Sequence, residues 1–158
     1  MTEKKLVKMN SGPNLLEMDF SNISIVQKDL RNANLVNENF AGVNLAGVDM
    51  TGADLTGASF FNANLVGANL AGANLAGANF LCANLTGANL ANTNLTNANL
   101  VYVRLAGARL ANANLTNANL TSANLTGADI EDADFTNADL TGVKLVGVDL
   151  KNAHNLER

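Results

Sequence analysis

From Leu15 to Leu150 every fifth residue is Leu, Phe, Ile or Met, without exception or insertion. A fixed repeat period decides an architecture before any local propensity does. Counted around that residue, the pentad has a small apolar residue first, usually Ala, then Asn or Asp, then the large apolar residue. The fourth slot holds Thr, Ala or Val and the fifth Gly or Asn. A period of five fits neither the helical 3.6 nor the plain strand repeat of two. Within one pentad, however, slots one and three share parity. An extended "ANL" therefore points Ala and Leu to one side and Asn to the other, and the next two residues must turn the chain. Gly enters positive φ freely and Asn does so more readily than most residues, which explains why those two types share slot five.

A short strand and a corner in every pentad make a coil that closes on itself. Phe20, Phe40, Phe60 and Phe80 recur at twenty residues, or four pentads, as rings stacked on one wall of a square coil would. Four Leu or Phe and four Ala per turn also fill a narrow interior without voids. The expectation is an all-β solenoid: a right-handed, quadrilateral parallel β-helix of about seven coils, rising about 4.8 Å per coil. Residues 14–153 form the β-helix, 1–13 an N-terminal cap segment with a helical turn over Leu6 to Met9, and 154–158 a C-terminal tail. Phe20, Phe40, Phe60, Phe80 and Leu85 belong to the core ladder, and outward Asn columns form amide ladders between coils.

The pentads "ADLTG", "ANLAG", "ANLTN" and "ADFTN" resemble the pentapeptide-repeat family, whose motif is A(D/N)LXX. The resemblance covers residues 14–153. It implies a right-handed quadrilateral β-helix independently of the parity argument. For function it implies less: the best-understood members bind type II DNA topoisomerases as DNA-shaped dimers that protect against quinolones.

Composition narrows the chemistry. The chain is 47% hydrophobic but only 4% aromatic, so its core is built from aliphatic ladders rather than interlocking rings. A net charge of −4 leaves no basic footprint, and direct nucleic-acid binding is not expected. A single cysteine, Cys82, forms no intramolecular disulfide and fits a reducing, cytoplasmic location. No apolar run is long enough to span a membrane, and the start "MTEKKLVKMNSG" has no signal-peptide core.

Catalysis finds no footing. His154, the single histidine, lies in the tail, and no histidine falls in phase with Cys82. The repeated Asp and Asn side chains diverge from a convex rod, which argues against a metal site, and the glycines are explained by corners rather than a phosphate loop. No cofactor and no enzymatic activity are expected.

The pattern breaks at "NLVYVRLAGARLANANL" (Asn99 to Leu115). Sorting residues by the twenty-residue phase places Phe61, Leu81, Val101, Cys82 and Tyr102 in one outward apolar patch on the middle coils. Arg104 follows Tyr102 on the next wall, with only Asn in its column until Lys144. Arg109 stands in a column with Asp29, Asp49, Asp129 and Asp149, where an exposed ion pair with Asp129 would offset the acids. Phe61, Leu81, Val101, Tyr102 and Arg104 are therefore the candidate protein-binding surface of a rigid, non-enzymatic scaffold. The partner is an unknown protein.

Two other functions fit parts of the pattern. A DNA-mimicking dimer that binds a type II topoisomerase would need dense negative charge, and the acids gather toward the C-terminal coils (Asp129, Glu131, Asp132, Asp134, Asp139). An ice-binding face would use the column Thr96, Thr116, Thr136. The chain after Leu150 is too short to cover the last coil, which predicts a homodimer through that end.

Overall fold

The computed structural model describes residues 29–156. Within them each pentad is one side of a square turn. Every fifth residue from Asn32 to Gly147 has positive φ, between 54° and 73°. The corner closes by a hydrogen bond from the N–H of the next slot one to the preceding slot-three carbonyl, as from Ala53 to Met50 at 3.0 Å. Positive φ at the third residue of such a four-residue turn is the type II signature. Slot two holds Asn or Asp for a second reason. Its side-chain oxygen accepts from the N–H two residues on, as Asn39 does from Ala41 at 3.0 Å, so the side chain braces the turn from outside.

Parallel bridges join each slot-two residue to the one twenty positions later, from Asp29 with Asp49 to Asn124 with Lys144. Four pentads thus complete a turn. Backbone bonds run both ways between turns: Leu55 N–H to the Asn74 carbonyl at 2.8 Å, Asn74 N–H to that of Ala53 at 2.9 Å. The described residues make six turns and part of another. The first coil of the seven-coil reading, Phe20 and the cap at 1–13 lie outside the described residues.

Slots one and three fill the interior, as parity requires. Leu85, Phe60 and Phe80 are wholly buried. The Phe column stacks: ring centroids are 5.1 Å apart between Phe40 and Phe60. Outside, amide ladders link Asn64 to Asn44, Asn89 to Asn69 and Asn94 to Asn74, each at 3.0 Å.

Two polar residues replace Ala in slot one. Thr93 satisfies its hydroxyl by donating to the Leu90 carbonyl at 2.7 Å. Glu38 has no such escape: it is 3% exposed, and its Oε1 has no hydrogen-bond partner. Burial pushes its carboxyl pKa upward.

The C-terminal end is looser. Leu140, Val143, Leu145 and Leu150 are only partly buried, although the same slots upstream are closed to solvent. Among the described residues no bridge joins Asp129 to Asp149, so a seam lined by Asp129, Ile130, Glu131, Asp149 and Asn152 opens between the last two turns. Pairing resumes at Asp134 with His154, and Asn155 donates to Thr136 Oγ1 at 2.7 Å.

Candidate functional site

Backbone register brings the sequence-predicted apolar residues together. Asn62 N–H donates to the Leu81 carbonyl at 2.9 Å and Cys82 N–H to that of Val101 at 3.0 Å. These bonds set slots four and five of three successive turns one above another. Phe61 is 45% and Tyr102 60% exposed, Cys82 is exposed, and Leu81 and Val101 are half-buried. The Phe core column lies directly behind this wall, so the patch has a rigid backing. Val66, also exposed, stands on the adjacent wall one pentad after Phe61. Sequence reasoning missed it, although a bulky residue in slot four is itself the signal.

Two corners of the patch carry unusual residues. Cys82 has φ of 60° and Tyr102 of 55°, where the same column has Asn62 above and Gly142 below. Left-handed backbone is uncommon outside Gly, Asn and Asp and is an outlier for a bulky side chain. Elsewhere a corner favours Gly for a second reason: a Cβ on Gly52 would meet Asn32 Oδ1 at 2.5 Å, so the Asn32 side chain folded over it would have to shift.

Of the two arginines, Arg109 departs from expectation. Arg104 is exposed, bridged by backbone to Asn84 and Asn124. Arg109 bridges Asn89 and Asp129 through its backbone, yet its guanidinium forms no ion pair with Asp129. Asp29 and Asp49 of that column are offset by Arg31, which contacts them at 2.8 Å and 3.9 Å. Slot four of the same pentad points outward beside slot two, so Arg31 reaches Asp29 within one corner. The arginine a full turn away does not.

The Thr column has another use for its hydroxyls. Thr96, Thr116 and Thr136 each donate to the slot-two oxygen of their own pentad, Asn94, Asn114 and Asp134, at 2.6 Å. That hydrogen bond holds the Asp134 carboxyl pKa below its usual range, and the Thr141 hydroxyl does the same for Asp139. His154 lies beside Asp132 at 3.9 Å, and Cys82 stands apart from it. Among the described residues no group of His, Cys, Asp or Glu is arranged to hold a metal ion, and no helix is long and apolar enough to cross a membrane.

Fold and surface together define a class: a quadrilateral parallel β-solenoid whose outward side chains decorate four walls. The chain belongs to the pentapeptide repeat family, whose model matches it over residues 29–60, 53–90, 63–100, 98–137 and 118–154. Membership implies the right-handed winding, and proteins of this kind are generally non-catalytic. Among solved structures it is similar to trypsin-treated R167E QnrB1, a plasmid-mediated fluoroquinolone resistance protein, at 23% identity and TM-score 0.59. That match covers 80% of this chain, which spans 65% of the QnrB1 chain, and it carries the fold alone. It is also similar to a thylakoid-lumen pentapeptide repeat protein of Arabidopsis thaliana, at 33% identity, covering 78% of this chain and 72% of the other, TM-score 0.35. HetL, involved in heterocyst differentiation regulation in Nostoc sp. strain PCC 7120, shares 26% identity over 80% of this chain and 78% of its own, TM-score 0.36. None of the curated protein sequences compared with it matches.

Proposed function

We propose that this chain is a non-enzymatic scaffold that binds another protein through the wall carrying Phe61, Leu81, Val101, Cys82 and Tyr102, with Arg104 at its edge. The observation that carries the reading is the alignment of Phe61, Leu81 and Val101 in one outward column beside Cys82 and Tyr102 in the next, with Phe61 and Tyr102 exposed. Contiguous apolar side chains on a monomer's surface mark interaction sites more often than chance exposure does. Replacing Phe61, Leu81 and Tyr102 together by polar residues tests it. Stability should stay within about 1 kcal/mol, as for typical surface sites. Capture of interactors, scored by quantitative mass spectrometry, should fall. Unchanged capture would remove this wall from consideration.

The looser C-terminal turn supports a homodimer through that end. Leu140, Leu145 and Leu150 keep part of their surface in water where a second copy would cover them. Sedimentation equilibrium decides it, and a strictly monomeric species would end the proposal. A DNA-mimicking role on a type II topoisomerase would use the same dimer. Unpaired Arg104 and Arg109 interrupt the negative stripe that role needs. A gyrase supercoiling assay separates it from the scaffold reading. Ice binding gains nothing from the Thr column, whose hydroxyls already serve the corners.

A further inference from the structure

We propose that the partner segment received by this wall is acidic with an apolar anchor, its carboxylates meeting Arg104 and, where it continues round the next corner, Arg109, and its apolar side chains meeting Phe61, Leu81, Val101 and Tyr102. The inference rests on the side-wall reading and adds the chemistry of the occupant.

Charge is the first argument. The protein carries a net −4, yet Arg104 and Arg109 stand one pentad apart on successive walls with no ion pair and no side-chain hydrogen bond among the described residues. Arg31 does form an ion pair within its own pentad, so the surface can satisfy a guanidinium where it is built to. The Arg104 column has Asn84 and Asn124 as neighbours, and no acid there competes for the side chain. Arg104 borders the apolar stripe and Arg109 stands one wall further round, and such uncompensated guanidinium groups attract anions and pair with carboxylates through their planar forks.

Backbone conformation is the second. Tyr102 occupies left-handed backbone that Asn or Gly would take at less cost. Its ring is 60% exposed, and no side-chain hydrogen bond or ring contact ties it to the fold. A corner in left-handed backbone, whose side chain makes no hydrogen bond to the rod, presents a ring outward, two residues before Arg104. Aromatic and arginine side chains side by side are the residue types that dominate binding energy at protein interfaces.

The Arg109 column disfavours a long polyanion. One turn beyond Arg109 the same column reaches Asp129, with Glu131 beside it and Asp149 a turn further. A nucleic-acid backbone tracking along the Arg109 column would run into these acids. A short peptide segment with a few carboxylates fits between them, and its apolar residues use the stripe that phosphates would not.

Display of a random peptide library against the full chain tests the proposal, with R104E/R109E and F61S/L81S/Y102N as parallel targets and thermal melts confirming that both variants fold. Peptides enriched on the wild type should combine Asp or Glu with Leu, Phe or Tyr. The best of them, measured by fluorescence anisotropy, should bind R104E/R109E about tenfold or more weakly, and its wild-type affinity should drop as salt rises. Apolar peptides without acids, lost only on the F61S/L81S/Y102N target, would keep the side-wall reading and overturn the acidic one. Enriched peptides indifferent to both variants, or no enrichment, would overturn both. A short DNA duplex that displaced the acidic peptide at equal charge concentration would replace the peptide partner with nucleic acid.

Discussion

Phe60 and Phe80 stack with ring centroids 4.7 Å apart and planes 5° from parallel, one turn above the other. Neither ring has any exposure. Phe80→Ala should therefore cost about 3–5 kcal/mol, the usual range for a buried ring lost from a close-packed core. Leu85→Asp should be worse, because its carboxylate would enter an interior of Leu and Ala with no partner. Urea melts followed by circular dichroism check both. Wild-type behaviour of Leu85→Asp would contradict the inward assignment of slot three.

Glu38 makes stability depend on pH in an unusual direction. Its folded pKa is raised by burial. Below the ordinary glutamate value, about 4.3, the carboxyl is neutral in both states and costs nothing as a charge. Above it the unfolded chain loses its proton first. The folded state then holds a proton the unfolded state lacks, and stability falls with rising pH until the folded pKa is passed. Glu38→Gln should remove this slope. The difference in melting temperature between variant and wild type should grow in the variant's favour from acid to neutral pH. Asp134 and Asp139, whose lowered pKa values give the opposite slope, are present in both proteins and cancel. A flat difference would show that Glu38 finds solvent or a partner.

Tyr102→Asn should stabilise the rod. The backbone there has φ of 55°, a value that eleven other non-glycine corners, mostly Asn, also hold within a few degrees. Relief of left-handed strain is worth about 1 kcal/mol, or about 2–4 °C in Tm for a chain of this size. The same change should weaken capture of the partner. A loss of stability would mean that the ring supports the fold.

Asn94 accepts from Thr96 N–H at 3.1 Å and Thr96 Oγ1 at 2.6 Å while donating to Asn74 at 3.0 Å. Asn94→Ala should cost about 1–3 kcal/mol, since each bond contributes about 1 kcal/mol net. Asn94→Asp keeps the acceptor and should cost less. Equal losses for the two variants in chemical denaturation would assign the stabilisation to the ladder donor alone.

Much of the fold was legible because slot position and side-chain type agree at each pentad. Ala and Leu share parity, and Asn or Gly sits where φ must be positive. The stacking of Phe61, Leu81 and Tyr102 followed from the same phase. The pairing of Arg31 was not legible, because column phase compares residues a turn apart and ignores the two outward slots of one pentad. Nor was the opening between Asp129 and Asp149, which depends on how two turns of the same residue pattern settle against each other. Glu38 falls in an inward slot by count alone, but no neighbouring residue type announces a buried carboxyl.

The missing rung between Asp129 and Asp149 gives this end of the rod its own dynamics. In a stack coupled only to nearest neighbours, opening proceeds as a zipper from the weakest contact inward. Amide exchange should accordingly be fastest around Leu150, slower at Leu125, and slowest near Leu85, a graded front rather than one cooperative event. By the same reasoning the last turn should lift at this seam before the wall carrying Tyr102 loses its register.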